Sequence, residues 1–384
     1  MIGEFKKILL IGGTGVISSA VVKEAIRNNI DVTIMTRGLR KIPSGVMSII
    51  CDKNDYAKQA TLIHGRYDAI IDFLCYTEEE VENSFRFYST YTNQYFFISS
   101  GAVYANENPG EVLNEEAPKV QPRWSYSVNK WAAEQRLVNL ADTSECNYTI
   151  IRPAITYDDT RIPYGISPQY GYHWTLCARI LAGKPIITWN NGENIRNMMR
   201  VEDFAVGLVG LIGNPKAYNE AFNICGDETP SYRDVLNIMG KYLNKDFVTI
   251  DIPAEFYAKQ IPNRSGELLE GRAKSAINSN AKLKDVVPEF KQTISIKDGI
   301  ERTLDAYKNQ NYQHGIDWAF DAETDRVIEN WCKTKGLSAK GMNLRYVDYL
   351  GNATWQDKYL YMNARYHDKI WMKVVRKLMK ICSR

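Results

Sequence analysis

A short apolar strand, followed at once by a glycine-rich turn and a helix, constrains this fold more than any other stretch. Lys7–Ile11 is the strand, the turn Gly12-Gly13-Thr14-Gly15 follows it directly, and Ser18 takes the third small position, where glycine is usual. Apolar residues then recur at the spacing of a helix. Glycines let the backbone approach a pyrophosphate, and the positive end of a helix attracts the anion. The sequence therefore predicts a dinucleotide-binding strand–turn–helix unit.

Apolar segments continue to alternate with helical ones after this unit. Such alternation is typical of parallel strands joined by crossover helices, so we expect a doubly wound parallel sheet of the Rossmann type with helices on both faces. Ligands bind such sheets at the carboxyl ends of the strands. The further strands that the pattern predicts are Asp31–Thr36, Val46–Ile50, Tyr67–Cys75 and Tyr95–Ile98.

The end of the second predicted strand carries basic residues where an acidic one would bind the adenosine ribose. Arg37 follows the strand, with Arg40 and Lys41 close by. A carboxylate would repel a 2′-phosphate, whereas an arginine pairs with it, so the pattern favours NADP over NAD as the cofactor. The alternative is a set of solvated basic residues without a ligand. Asp52, at the end of the third strand, is placed to accept a hydrogen bond from the adenine amino group.

Three residues near the fifth predicted strand form an acid–base set. Ser100 stands where that strand ends, and Tyr126 and Lys130 lie four apart on a helical segment, so their side chains share a face. A phenol with a pKa of about 10 is a poor base, but a lysine close by favours its ionised form. A serine hydroxyl could hold the substrate oxygen whose proton the tyrosine moves. A Tyr-x-x-x-Lys pair on its own is more often an ordinary surface pair.

Net charge and cysteine spacing exclude several classes of protein. The net charge of +3 gives no indication of nucleic-acid binding, and the seven scattered cysteines form neither a C-x-x-C pair nor a cluster with histidine. We therefore expect reduced thiols and no metal site, as in a cytoplasmic protein. The N terminus does not have the features of a signal peptide, and no apolar run is long enough to span a membrane.

The glycine turn, the segment Ser99–Tyr104 and the pair Tyr126 and Lys130 together resemble one known family. This family is the extended short-chain dehydrogenase/reductases, also described as the NAD-dependent epimerase/dehydratase group. The resemblance covers about residues 6–308. The later segments that match the family are Arg152–Tyr157, Arg196–Asp203, Phe222–Gly226 and Ile294–Ile300.

The resemblance implies a role for each matching residue. Tyr126 would be the catalytic acid/base, Lys130 would lower its pKa and hold the nicotinamide ribose, and Ser100 would take the place of the catalytic serine or threonine. Arg196 stands where nucleotide-sugar enzymes of the family bind a diphosphate; the alternative is a structural ion pair with Asp203. The cofactor would lie against Gly12, Thr14, Gly15, Val16, Ile17, Arg37, Asp52, Phe73, Leu74, Tyr126, Lys130 and Pro153.

The resemblance also implies a reaction class. Dehydratases of the family carry Asp-Glu after the catalytic hydroxyl residue, whereas this chain has Gly101 and Ala102, which argues against dehydration. Ile155 stands where the family often places an asparagine against the substrate phosphate. We expect an NAD(P)-dependent sugar-nucleotide epimerase or ketoreductase that acts as a homodimer. Arg37 favours the reductase, and the segment after Ser100 resembles epimerases. The rival reading is a non-catalytic NADP-binding or RNA-binding relative.

The predicted domain organisation has two parts. Residues 1–312 would form the short-chain dehydrogenase/reductase domain, with a cofactor part at about 1–155 and 197–225 and an interleaved, smaller substrate part at about 156–196 and 226–312. His173, in the substrate part, is either a second acid for epimerisation or, more often for a lone histidine, a structural residue. Residues 313–384 would form a helical C-terminal extension.

The extension ends in a basic amphipathic helix within residues 366–384. We expect this helix to lie on the inner face of an anionic membrane; the alternative is that it packs against the protein itself. The apolar face carries Trp371, Val374, Val375 and Leu378, and the basic face carries Lys369, Lys373, Arg376, Lys377 and Lys380.

Overall fold

A computed structural model describes residues 6–108, 110–120 and 122–382 of the chain. The strands are β1 (Lys7–Ile11), β2 (Asp31–Thr36), β3 (Met47–Ile50), β4 (Ala69–Asp72), β5 (Gln94–Ile98), β6 (Val112–Leu113), β7 (Asn147–Pro153), β8 (Ile155–Tyr157), β9 (Ile186–Thr188), β10 (Met198–Arg200), β11 (Glu220–Ile224), β12 (Thr249–Asp251) and β13 (Ile277–Asn278). The helices are α1 (Val16–Arg27), α2 (Tyr56–Leu62), α3 (Glu78–Tyr88), α4 (Ser125–Ala141), α5 (Trp174–Leu181), α6 (Val201–Gly210), α7 (Tyr232–Leu243), α8 (Ala254–Gln260), α9 (Ala281–Val286), α10 (Ile296–Asn309), α11 (Trp318–Lys335), α12 (Trp355–Arg365) and α13 (Ile370–Cys382).

Seven parallel strands form the central sheet, in the order β11-β7-β5-β4-β1-β2-β3. Helices α1 and α6 pack together on one face and α3 and α4 on the other. Each face has its own apolar core: Val21 and Phe204 lie in the first, Phe85 and Leu137 in the second. Because helices cover both faces, the inner strands are apolar throughout rather than alternating. The predicted doubly wound parallel sheet is confirmed.

One predicted strand is shorter in the structure. The expected strand Tyr67–Cys75 forms only as β4, which ends at Asp72. The Asp72 carboxylate accepts a hydrogen bond from the Leu74 N–H at 2.7 Å, and this local turn leads the chain away from the sheet.

The chain divides into two compact units. Unit 1 comprises Met1–Asp158, Ile195–Thr229 and Lys274–Ile296, and it contains the central sheet. Unit 2 comprises Asp159–Asn194, Pro230–Ala273 and Lys297–Arg384. Unit 2 is mostly helical, with the parallel strand pair β9–β12 and the closely packed helices α11 and α12.

Four fully buried charged side chains lie at the centre of unit 2, and we call them the charge cluster. Nη1 of Arg179 contacts a carboxylate oxygen of Asp321 at 2.5 Å and of Asp325 at 2.8 Å. Nζ of Lys184 contacts the other oxygens of Asp321 and Asp325 at 2.9 and 2.7 Å. Both carboxylates thus face both cations, and the cluster is neutral as a whole. It joins α11 to α5 and to the turn that follows α5.

Two tyrosines complete the hydrogen bonding of the charge cluster. The Tyr349 hydroxyl donates to Asp321 at 3.0 Å, and the Tyr361 hydroxyl donates to Asp325 at 2.6 Å. Burial raises the pKa of both phenols, so both stay protonated and remain donors. Tyr361 belongs to α12, and the cluster therefore anchors the C-terminal helices in unit 2.

Within residues 6–108, 110–120 and 122–382, no helix combines the length and the apolarity that crossing a bilayer requires. The same residues hold no group of three or more histidine, cysteine, aspartate or glutamate side chains placed to bind a metal ion. The six cysteines with described side chains are buried free thiols.

Candidate active site

The glycine turn after β1 has backbone angles and close contacts that a residue with a side chain would not fit. Gly12 and Gly13 have φ angles of +120° and +73°, and the Gly12 N–H donates to the Met35 carbonyl at 2.9 Å. A Cβ on Gly13 would lie 2.6 Å from Cγ2 of Ile34, which is closer than carbon atoms approach. The turn thus packs tightly on β2 and leads the chain into α1.

Helix α1 begins at the turn. Gly15 caps it, and the Gly15 N–H donates to Oγ of Ser18 at 2.9 Å, so the hydroxyl that replaces the third glycine closes the first turn. Val16 and Ile17 are half-buried against the apolar core, and the first turn carries no acidic side chain. The positive end of α1 is therefore suited to an anionic pyrophosphate.

The basic residues after β2 lie beside the glycine turn. Nη1 of Arg40 donates to the Thr14 carbonyl at 3.0 Å, a contact that the sequence did not indicate. Arg37 and Asp52 are exposed at the carboxyl ends of β2 and β3, and Asp52 accepts a hydrogen bond from the Asn54 N–H at 2.9 Å. These groups lie at one edge of the sheet, as the sequence predicts.

The residues after β4 lie against the same turn. A Cβ on Gly12 would be 3.5 Å from Cβ of Phe73 and 3.6 Å from the Leu74 side chain. The Phe73 N–H donates to the Ile11 carbonyl at 3.1 Å. The structure therefore brings Phe73 and Leu74 together with the glycine turn at the carboxyl edge of the sheet.

Lys130 is buried at that edge. Its Nζ donates to the carbonyls of Cys75 at 2.5 Å and Ile98 at 2.8 Å, which follow or end β4 and β5. The ammonium also lies 4.5 Å from the ring centre of Tyr76 and 4.9 Å from that of Phe97. Burial lowers the pKa of Lys130 to about 8. Carbonyls and aromatic rings thus hold a positive charge at the point where two central strands end.

Ser100 and Tyr126 belong to two elements that contact each other. Ser100 is half-buried and caps the short turn Gly101–Val103, where its Oγ accepts a hydrogen bond from the Ala102 N–H at 3.1 Å. Helix α4 packs against that turn. Tyr126 is half-buried in the first turn of α4, one helical turn before Lys130, and its ring lies 5.4 Å from the ring of Trp124.

A buried ion pair between Glu134 and Arg152 was not predicted from the sequence. Glu134 stands one helical turn after Lys130, accepts a hydrogen bond from the Ser99 hydroxyl, and pairs with Arg152 at 2.7 Å. Arg152 also donates to the Tyr104 hydroxyl at 3.0 Å. This pair ties α4 to the ends of β5 and β7. The sequence could have indicated this pair, because Glu134 lies four residues after Lys130 and therefore on the same inner face of the helix.

Pro153 and Arg196, the remaining residues that the family resemblance implied for the site, differ in burial. Pro153 ends β7 and is buried. Arg196 is half-buried, and its Nη1 donates to the Lys274 carbonyl at 3.1 Å. Both carboxylate oxygens of Asp203 accept hydrogen bonds from the segment at Thr293 and Ile294. Asp203 therefore fixes that segment.

His173 has the surroundings of a structural residue. It is buried in unit 2, and its Nδ1 lies 3.1 Å from the Ile162 backbone nitrogen. Burial, followed by the nearby Arg161 charge, lowers the pKa of His173 to about 3. The imidazole is therefore neutral at physiological pH, which favours the structural reading over the acid role.

Comparison with known proteins gives matches of three kinds. The profile of the "NAD dependent epimerase/dehydratase family" matches residues 8–225. The chain is 28% identical over 240 residues to "Chloroplast stem-loop binding protein of 41 kDa b, chloroplastic" of Arabidopsis thaliana, covering 58% of this chain and 59% of that protein. It is 20% identical over 258 residues to "2'-dehydrokanamycin reductase" of Streptomyces kanamyceticus, covering 66% of this chain and 72% of that protein. The chain thus spans only about three fifths of the first of these relatives.

Solved structures share the fold at low identity. An epimerase of Methanothermobacter thermautotrophicus superposes with a TM-score of 0.65 at 14% identity, covering 81% of this chain and 95% of that one. A UDP-glucuronic acid 4-epimerase of Bacillus cereus, solved with UDP-glucuronic acid and NAD, superposes with a TM-score of 0.58 at 19% identity, covering 79% and 99%. These likenesses show the common fold.

Proposed function

The chain belongs to the NAD dependent epimerase/dehydratase family, and we propose that it transfers hydride at a sugar carbon of a nucleotide sugar, as an epimerase or a ketoreductase. The observation that carries the proposal is the buried ammonium of Lys130 at the ends of β4 and β5. It lies one helical turn from Tyr126, on the helix that packs against the turn capped by Ser100. These placements support a role for lysine, tyrosine and serine in acid–base chemistry on a substrate hydroxyl.

The residues around the glycine turn fit a dinucleotide. The tight backbone at Gly12 and Gly13 and the acid-free first turn of α1 would receive the pyrophosphate, with Val16 and Ile17 beneath it. Phe73, Leu74 and Pro153 would border the rest of the cofactor. When bound, a nicotinamide dinucleotide supplies hydride acceptance and donation at the sugar carbon.

The chain's own groups would move the proton. Tyr126, as phenolate, takes the proton of the substrate hydroxyl while the carbon loses hydride. The positive charge of Lys130 favours that phenolate, because a nearby opposite charge stabilises an ionised form. Ser100 would donate a hydrogen bond to the substrate oxygen. Glu134 and Arg152 join α4 to β7, which supports a stable placement of Tyr126 and Lys130 on that helix.

We propose NADP as the preferred cofactor, because Arg37 takes the place of a ribose-binding carboxylate. The variant Arg37→Gln should raise the Kd for NADPH about tenfold to a hundredfold and leave that for NADH nearly unchanged. The control is Arg27→Gln at the far end of α1, where the side chain is 78% exposed. Equal affinities for both cofactors in the native chain would contradict the preference.

A nucleotide sugar is the proposed substrate, with Arg196 binding its diphosphate. The support is the arginine's position in the family segment and the UDP-glucuronic acid bound by the Bacillus cereus epimerase. Incubating the protein with nucleotide sugars and NADP+, and separately with keto-sugar nucleotides and NADPH, separates the two reactions. An epimerase converts the nucleotide sugar without net reduction of NADP+, whereas a ketoreductase reduces the keto sugar and consumes NADPH in proportion to product.

A second candidate function follows from the Arabidopsis relative, whose name describes stem-loop binding. In this reading the chain binds RNA and does not turn over a sugar. The near-neutral net charge of +3 gives this reading little electrostatic support. Filter binding of a stem-loop RNA over a salt series tests it: tight binding without any turnover of nucleotide sugars would replace the enzyme proposal.

The proposal also covers assembly and location. We expect a cytoplasmic homodimer that meets the inner face of a membrane through its C-terminal helix. Light scattering on the eluting peak of a sizing column measures the mass: a monomer would contradict the dimer. Fractionation of producing cells tests the location.

A further inference from the structure

Helix α13 leaves an apolar strip uncovered. We call Ile370, Trp371, Val374 and Leu378 the apolar strip; they are 80%, 47%, 51% and 56% exposed. Spacings of three and four residues place these side chains along one face of the helix. A helix that packed its apolar face on the protein itself would bury them, and this one does not.

The helix is nevertheless held in place. Met372 is 1% exposed and packs inward, while α13 contacts α12. Arg376 donates to the His367 carbonyl at 2.6 Å, and the rings of Tyr366 and Trp371 lie 5.5 Å apart. Helix α12 is itself anchored to the charge cluster by Tyr361. The apolar strip is thus exposed on a helix that buries Met372 and contacts α12.

Basic residues border the apolar strip. Lys373 and Lys377 are exposed and lie one position before Val374 and Leu378 along the helix, and Lys369 precedes the first turn. The sequence has no acidic residue after Asp368. The side chain of Lys380, together with Ser383 and Arg384, lies outside the described residues. The described residues that border the apolar strip within the helix are therefore basic, and the one exposed carboxylate near its start is Asp368.

We propose that α13 is an interfacial helix that inserts the apolar strip into the headgroup region of an anionic bilayer, with its lysines against the lipid phosphates. Exposed isoleucine, valine and leucine suit acyl chains, which RNA does not offer. A second copy of α13 would cover the apolar strip but would bring only further positive charge to its edge. Each basic residue near an anionic leaflet strengthens binding about fivefold. This inference rests on the membrane location proposed above and deepens it by naming the lipid class and the residues, and it does not depend on the proposed reaction.

Cosedimentation with vesicles tests the proposal. The full chain is mixed at low salt with vesicles of phosphatidylcholine containing about one third phosphatidylserine, or with phosphatidylcholine alone. The native chain should pellet with the anionic vesicles and stay in solution with the neutral ones. The triple variant Lys369→Gln, Lys373→Gln, Lys377→Gln should bind about a hundredfold more weakly. The double variant Val374→Gln, Leu378→Gln should bind at least tenfold more weakly.

The matched control is a triple variant of exposed lysines elsewhere in unit 2, namely Lys241→Gln, Lys245→Gln, Lys259→Gln. It has the same net charge as the first triple variant and should bind vesicles like the native chain. Circular dichroism and thermal melts confirm that each variant is folded. Equal loss in the control would mean that overall charge, not α13, drives binding, and would overturn the proposal.

Three further outcomes would also overturn it. In the first, the native chain fails to pellet with anionic vesicles at low salt. In the second, the α13 lysines are necessary for binding a stem-loop RNA, and the native chain does not bind vesicles. In the third, light scattering shows that the variant Val374→Gln, Leu378→Gln is a monomer where the native chain is a dimer, and vesicle binding is unchanged. The last result would assign the apolar strip to a subunit interface.

Discussion

Replacing Asp325 by asparagine should destabilise unit 2 strongly. The charge cluster contains two cations and two carboxylates, all with fully buried side chains, so the variant leaves an uncompensated positive charge between Arg179 and Lys184. Removing one partner of a buried ion pair costs about 3–5 kcal/mol. Domains of this kind are stable by about 5–15 kcal/mol in total, so the loss is a large fraction of the free energy of unfolding.

Urea unfolding followed by tryptophan fluorescence measures this loss. Trp318, whose ring lies 5.7 Å from that of Tyr349, contributes to the signal from the same helix. The control is Glu301→Gln, which breaks the exposed pair with Lys297 and should cost less than about 1 kcal/mol.

A second substitution makes the test specific to charge. Adding Lys184→Met to Asp325→Asn restores neutrality, because one arginine then faces one aspartate. The double variant should therefore lose less stability than the sum of the two single variants, by about 1–3 kcal/mol. A loss below about 1 kcal/mol for Asp325→Asn, or strictly additive losses, would refute the electrostatic account of the cluster.

Three other predictions concern unit 1. Tyr126→Phe should lower kcat about 10²–10⁴-fold while cofactor affinity, measured by fluorescence titration, changes less than about tenfold, because phenylalanine keeps the ring and loses only the hydroxyl; full activity would remove the tyrosine from the mechanism. Burial holds the pKa of Lys130 at about 8 against 10.5 for a free lysine, so this group binds fewer protons in the native state than in the unfolded state between these values, and its contribution to stability rises with pH there. The free energy of unfolding in urea, native chain minus Lys130→Met, should therefore rise by about 3 kcal/mol over this range, because the buried thiols and phenols, whose raised pKa values act in the opposite direction, are common to both proteins. Gly13→Ala should weaken NADPH binding and lower the Tm, whereas Gly65→Ala, with a φ of +77° but open space around it, should show the smaller effect of backbone strain alone.

Five of the seven strands of the central sheet were predictable because their signals are local. The first strand, the glycine turn and α1 follow one another without a break, and the apolar runs of β2 and β5 appear within one residue of their predicted bounds. The end of β4 was not predictable from apolar character, since the side chain of Asp72, rather than a loss of hydrophobicity, turns the chain.

The candidate site was predictable only where spacing carried the information. Tyr126 and Lys130 share a face because they are four residues apart, but the carbonyls that hold the ammonium come from Cys75 and Ile98, far away in sequence. The charge cluster was also not predictable, because its cations and its carboxylates are more than a hundred residues apart in the sequence. Neither the segment with Arg179 and Lys184 nor the segment with Asp321 and Asp325 indicates by itself that these charges become buried together.

The order of strands in the sheet has a consequence for synthesis on the ribosome. Strand β7 ends at Pro153, yet its outer neighbour β11 begins only at Glu220. At the usual rate of elongation, roughly 4–14 s pass before the ribosome completes that partner. During this interval one side of β7 presents unpaired N–H and C=O groups, the kind of edge on which other chains can aggregate. A nascent chain of this protein therefore has a defined period in which chaperone protection matters most, and it ends when β11 docks.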